Sequence, residues 1–144
     1  MIRPLLISEL DMVHKMAREW YASSEVLKNY RPDVFRKTWT HLLMAGTGII
    51  MGLFHGDVFC GAIGGIIHPD INNGDPTATE FFWYMGKEYR GEGMSLLNAF
   101  ESWAREYRCK TIKMTRLMEG PEVLDRIYRK KKYYPIEMIY QKEL

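Results

Sequence analysis

Apolar positions recur at steps of three and four through Leu10, Val13, Ala17 and Trp20, which predicts an amphipathic helix. Ser8 stands where its N-cap should be, with acidic Glu9 and Asp11 in the first turn. A second stripe, Phe35, Thr38, Trp39 and Leu42, predicts another helix, capped by Asp33 after the Arg31-Pro32 turn and ended by Gly46 and Gly48. Ahead of both, residues 2–6 read as a short strand, with Pro4 at an edge or strand end. From Gly48 the period changes. Ile49 to Phe54 is a strand-length apolar run, His55-Gly56-Asp57 a hairpin turn, and residues 58–67 the returning strand. Gly61, Gly64 and Gly65 within that return predict a bulge or a close backbone approach.

Residues 68–76 read as a loop long enough to line a site. A strand is expected over 79–85, a turn from Gly86 to Gly93, and a helix from Met94 to Arg108 with Leu97, Phe100, Ala104 and Tyr107 on one stripe. Residues 111–117 alternate as a half-buried strand does, Pro121 suits the first position of a helix reaching Lys131, and Ile136 to Lys142 closes the chain as a strand. The order β-α-α-β-β-β-α-β-α-β predicts one α/β domain over residues 1–144, a sandwich with a mixed central sheet of about six strands and helices on both faces.

Composition narrows the classes. The chain has 144 residues, 47% of them apolar and 26% charged, as globular domains do. The net charge of +2 is too small to demand a nucleic-acid or membrane partner. Two cysteines, Cys60 and Cys109, make neither a disulfide framework nor a four-ligand zinc site, and are read as inert thiols. With no long apolar run and no signal-peptide pattern at Met1 to Leu5, a cytoplasmic protein is expected.

The most informative segment is Glu80 to Leu97. The apolar strand Phe81-Phe82-Trp83-Tyr84-Met85 runs into Arg90-Gly91-Glu92-Gly93-Met94-Ser95 and on into a helix. A glycine turn at a helix start makes an anion site, because the first helical N–H groups lack internal partners and the helix dipole adds positive charge. A tight turn with no ligand is the alternative, and the spacing matches neither the dinucleotide fingerprint nor the P-loop.

That hexapeptide after an apolar strand resembles the Arg/Gln-x-x-Gly-x-Gly/Ala pyrophosphate loop of the GCN5-related N-acetyltransferase (GNAT) superfamily, with Ser95 in place of the final small residue. Tyr128, in Ile-Tyr-Arg-Lys-Lys-Lys-Tyr, is similar to the superfamily tyrosine of Leu-Tyr-Glu-Lys-x-Gly-Phe, with Lys132 in place of the glycine. The stretches Glu-Phe-Phe-Trp and Tyr-Pro-Ile-Glu, with the final Tyr-Gln-Lys-Glu-Leu, look most like compact bacteriophage-encoded members. The resemblance implies acetyl transfer from acetyl-coenzyme A to an amine of a small molecule or protein, by direct attack in a ternary complex and without a metal. It implies that the amides of residues 91–95 hold the pyrophosphate and that Arg90 lies near the phosphates or shapes the turn. Backbone groups of Trp83, Tyr84 and Met85 would pair with the pantetheine arm, the Met85 N–H facing the thioester carbonyl. The cofactor-binding set is thus Trp83, Tyr84, Met85, Arg90, Gly91, Glu92, Gly93, Met94 and Ser95.

For the two proton transfers, the resemblance makes Tyr128 the donor to the departing thiolate; the alternative is a packing tyrosine beside Leu124 and Ile127. Glu80 is the candidate base and His68 its rival. Other relatives carry the glutamate at a position that here is Arg116, and an Asn contact to the cofactor at a position that here is Pro121. Arg126, Arg129, Lys130, Lys131 and Lys132 form the one dense basic cluster, read as a solvated face or as an attractor for the cofactor's 3′-phosphate. Trp20, Trp39, Trp83 and Trp103 are assigned to the core, although Trp83 and Tyr84 could border the acceptor site, and residues 20–33 and 68–78 would select the acceptor. A homodimer is compatible with the resemblance. Two rivals stand beside the enzyme: a catalytically degenerate domain serving as a binding or virion-associated module, and a small nucleic-acid-binding domain, which the low net charge disfavours.

Overall fold

The computed structural model describes residues 1–25 and 29–144. The strands β1 (Ile2–Pro4), β2 (Gly48–His55), β3 (Val58–Pro69), β4 (Pro76–Met85) and β5 (Thr111–Lys113) form a single mixed sheet in the order β1-β2-β3-β4-β5. All neighbours are antiparallel except β4 and β5, which run parallel. Helices α1 (Leu10–Ser23) and α2 (Pro32–Met44) cover one face, and α3 (Gly93–Glu106) the other, where α4 (Val123–Lys130) joins it. The α/β sandwich expected from the sequence is therefore present, with five strands. The missing one is the closing strand expected over 136–142. Residues 133–144 have no regular secondary structure.

Two apolar clusters flank the sheet. Ile49, Leu53, Ile63 and Ala78 meet Leu96, Phe100, Trp103 and Ala104 of α3, while Ile50, Ala62 and Phe82 meet Leu10, Val13 and Trp39 of α1 and α2. Trp39 and Trp103 are buried; Trp20 and Trp83 lie half-buried at the cluster margins. Among the described residues no helix is long and apolar enough to cross a membrane.

Local chemistry explains where the elements begin and stop. A short 3₁₀ turn, Ile7–Glu9, precedes α1, so Ser8 is not its cap. Instead the Glu9 carboxylate accepts the Leu6 N–H at 2.8 Å and pairs with the Arg3 guanidinium at 2.6 Å, and this environment holds its pKa down to about 2. Pro32 rather than Asp33 opens α2, its fixed φ suiting the first helical position. Gly46, at φ 71°, closes α2 in a Schellman motif: its N–H reaches Leu43 O at 3.2 Å, and Thr47 N–H reaches Leu42 O at 3.2 Å. The same pair of bonds recurs after α3 with Arg108 (φ 56°) and after α4 with Lys132 (φ 66°) in the left-handed position. The loop expected over 68–76 shortens to 70–75, because β3 and β4 pair as far as Pro69 and Pro76.

The β3–β4 ladder breaks where the glycines predicted it. Gly65 pairs with Glu80 and Gly64 with Phe82, leaving Phe81 as an extra residue on β4. The bulge reverses the parity of the strand. Ala78 faces α3 and so do Trp83 and Met85, while Phe82 faces α1 and α2. At Gly64 a Cβ would sit 2.3 Å from the Phe82 ring, so only glycine admits that ring.

Candidate functional site

β4 and β5 pair only from Thr77 to Thr79 against Thr111 to Lys113. Beyond that the strands part, which is why β5 ends at Lys113 rather than at residue 117. Glu80 occupies the fork. Its side chain is 3% exposed, and Oε2 accepts the Thr115 N–H at 3.0 Å and the Thr115 hydroxyl at 2.7 Å. Burial pushes the Glu80 carboxyl up to about 7, with the two Thr115 bonds pulling the other way.

Tyr128, on α4, reaches the same residue, its hydroxyl donating to Thr115 O at 2.8 Å. Burial raises its pKa, and the neighbouring Glu80 charge adds to the effect, so the phenol keeps its proton at neutral pH. Thr115 thus holds a carboxylate poised near neutrality and a protonated phenol at one point. The Tyr128 ring also packs near Trp83, with centroids 6.4 Å apart.

The free edge of β4 continues this fork. Gly86 N–H bonds to Cys60 O at 2.8 Å, and ladder bonds alternate along an antiparallel pair. The N–H groups of Trp83 and Met85 therefore point away from β3, into the gap that β5 leaves. Among the described residues, Trp83 Nε1 and the Tyr84 hydroxyl are buried without a hydrogen-bond partner. Tyr84 meets Trp20 edge-on at 5.1 Å, next to the stacked pair Tyr21 and Tyr30 at 4.5 Å, so an aromatic wall borders the other side of the strand.

After Met85 the expected glycine turn is largely helical. Residues 87–92 form a 3₁₀ helix that runs straight into α3, so Arg90, Gly91 and Glu92 make its last turn and are all exposed. Gly93 is buried and starts α3; a Cβ there would lie 3.2 Å from the Trp83 ring. Met94 and Ser95 follow half-buried, and the Ser95 hydroxyl donates to Glu92 O at 2.6 Å. The Glu92 carboxylate does not cap the helix but turns to His55 at 2.8 Å. The first turn of α3 accordingly carries neither a capping side chain nor an acidic one.

These groups fit the coenzyme that the sequence resemblance implies. The β4 edge offers backbone donors and acceptors for an amide-bearing arm, and the helix start offers a positive dipole end not offset by a carboxylate of its first turn. Gly91 has open space where a Cβ would project. Among the described residues no group of three His, Cys, Asp or Glu could hold a metal ion.

Other candidates are placed differently. His68 has both ring nitrogens engaged, Nδ1 with Pro69 O at 3.0 Å and Nε2 with the Thr79 hydroxyl at 2.7 Å. Arg116 pairs with Asp125 at 3.7 Å. Lys131 leaves the basic cluster to meet Glu101 at 2.8 Å and Asn98 at 2.9 Å, whereas Arg126, Arg129, Lys130 and Lys132 are exposed. Part of the acceptor-selecting stretch 20–33 lies outside the described residues, at 26–28.

Three features escaped the sequence reading. Thr115 lay inside an expected strand with nothing to mark it. Glu101, buried at 5% exposure on α3, binds Lys131, Arg105 at 3.2 Å and the Tyr133 hydroxyl at 3.0 Å; its only trace was the i,i+4 spacing to Arg105. Glu119 accepts from the Ser24 hydroxyl and from Glu25 N–H at 3.1 Å, tying the segment before α4 to the end of α1.

Known proteins share this fold. The sequence model of the "Acetyltransferase (GNAT) family" matches residues 11–129. No curated protein matches the chain. Among solved structures, a transcriptional regulator from Bacillus halodurans C-125 superposes with a TM-score of 0.82 at 18% identity, over 100% of this chain and 99% of that one. A GCN5-related N-acetyltransferase from Ralstonia eutropha JMP134 gives 0.78 at 20% identity, over 99% and 97%. AAC(6')-Iy, in complex with the bisubstrate analog CoA-S-monomethyl-acetylneamine, gives 0.79 at 14% identity, over 100% and 98%.

Proposed function

The chain belongs to the acetyltransferase (GNAT) family, and from that premise we propose that it moves an acetyl group from acetyl-coenzyme A directly to an amine, with Glu80 as base and Tyr128 as acid. The observation that carries this reading is the shared grip of Thr115 on a buried carboxyl with a pKa of about 7 and on a protonated phenol. A base works best when its pKa is near the working pH, and an acid when it still holds its proton there. Both conditions hold at neutral pH.

In this reading acetyl-coenzyme A supplies the activated thioester, and the chain's own groups do the rest. The first-turn amides of α3 bind the diphosphate, with Gly91 and Gly93 letting backbone approach it closely. The β4 edge aligns the pantetheine arm in the fork. The Met85 N–H, fixed before reaction, points to where negative charge develops on the acyl oxygen. Glu80 takes a proton from the incoming ammonium, directly or through water, and Tyr128 O–H gives one to the leaving sulfur. The doubly occupied ring of His68 favours Glu80 over it as base.

The acceptor is an amine on a small molecule or a protein, met on the aromatic side formed by Tyr84, Trp20 and Tyr21. A cytoplasmic setting, the host cytoplasm if the chain is phage-encoded, is part of this reading. Calorimetry with acetyl-coenzyme A, followed by thiol release with an amine panel that includes neamine and lysine peptides, tests the reading. Binding with thiol release is the expected result. Binding without release from any amine would leave the degenerate binding module, and no binding would remove both.

A further inference from the structure

Glu92 puts a negative charge at the threshold of the diphosphate seat. It ends the 3₁₀ turn and takes the N-cap position of α3, between Gly91 and Gly93. A carboxylate there is drawn to the same free first-turn amides that would bind a phosphate, so it can fill the seat as well as repel an anion. It does neither. The side chain turns to the β2–β3 hairpin, where His55 Nε2–H donates to Glu92 Oε2 at 2.8 Å. The imidazole is itself held in place. His55 closes β2 opposite Val58, beside the Gly56 turn at φ 57°, and its ring meets Tyr89 edge-on at 5.3 Å. Among the described residues nothing pairs with the Arg90 guanidinium. Over residues 90–95 the one acidic side chain is thus held aside and the one basic side chain is left unpaired.

Resting on the coenzyme reading above, we propose that His55 is a positioning residue for the diphosphate: by holding the Glu92 carboxylate on the hairpin, it keeps a negative charge off the start of α3 and leaves Arg90 to the phosphates. His55 belongs to β2, two strands from the β4 edge that would hold the pantetheine arm, so it enters the site only through this contact. Released from His55, the carboxylate would turn among the first-turn amides and Arg90, the groups that the phosphates need. A like charge a few ångströms away in half-exposed surroundings weakens anion binding by roughly tenfold.

The test is calorimetric titration of the full chain with acetyl-coenzyme A, which reads binding and needs no acceptor. His55→Ala should weaken the affinity roughly tenfold. His55→Phe, which keeps a ring against Tyr89 but has no donor for Glu92, should weaken it as much. Glu92→Gln should bind at least as tightly as the parent, and adding it to His55→Ala should bring the affinity back to within about twofold of Glu92→Gln alone. The pair is 47% and 45% exposed, so melting temperatures should shift by no more than a few degrees. A histidine that only supported the hairpin would not be rescued by removing its partner's charge. Equal affinity of the parent and His55→Ala overturns the proposal and leaves the coenzyme reading standing, and a loss that persists in the double variant does the same. No binding by the parent removes the coenzyme reading and this proposal together.

Discussion

In the proposed mechanism Glu80 would join catalysis and stability in one side chain. Folded, it binds a proton with a pKa of about 7 against 4.5 ordinarily, so the folded state holds more protons between those values. Stability therefore falls as pH rises through that window, and above it the native state carries the full penalty of about 3 kcal/mol. Glu80→Gln should lower kcat roughly 10²–10⁴-fold while melting above the parent at pH 8.5, the gain shrinking toward pH 5. Equal melting at both pH values would mean that the carboxyl is not perturbed. Tyr128→Phe should cost roughly 10-fold or more in kcat with little change in the affinity for acetyl-coenzyme A, and about 1 kcal/mol of stability from the bond to Thr115 O. Calorimetry beside steady-state kinetics separates the two effects. Glu80 and Tyr128 were legible as residues because each stands at a marked place, the start of an apolar strand and the family tyrosine. Thr115, which joins them, was not, since its part depends on two strands parting.

Elements were legible where one residue type forces the backbone. Gly46 announced the end of α2, and Gly64 and Gly65 the bulge in the β3–β4 ladder. The ends of α3 and α4 were harder to read because Arg108 and Lys132 do the same left-handed work with a side chain in the way. Lys132 stands where relatives have glycine, so that departure from the family pattern is accounted for by a helix cap rather than by a change in chemistry. Arg108→Gly and Lys132→Gly should each stabilise the fold by roughly 0.5–1 kcal/mol, a rise of a few degrees in Tm, with turnover unchanged. Scanning calorimetry would expose a drop instead, which would mean that those side chains do more than tolerate the turn. Gly93→Val acts on another boundary. Its side chain meets Trp83, so cofactor affinity should fall at least tenfold; intact affinity would remove the start of α3 from the binding site.

At the scale of the whole molecule, the element order was enough for the sheet and its two covered faces, but not for the fork, where β5 stops at Lys113 instead of running on to residue 117. The sequence also carried the alternation over 136–142, but alternation names a strand without naming its neighbour, and residues 133–144 form no regular secondary structure. The edges of the sheet were least legible for the same reason: they depend on what approaches from outside.

The clamp at Glu101 has a consequence of this larger kind. α4 contributes no fully buried residue, and Lys131 and Tyr133, just past its end, fasten it to α3 chiefly through that one carboxylate, with Asn98 adding a second bond to Lys131. Burial alone would raise the Glu101 pKa, but Lys131, Tyr133 and Arg105 hold it below the usual value, so the attachment persists down through mild acid and fails only once the carboxyl is protonated. Acidification should then unlatch the corner bearing the phenol while the strands stay folded, visible as amide exchange quickening in 123–133 ahead of the far-ultraviolet transition. The chain would lose its chemistry before its shape, and regain it on neutralisation without having to refold.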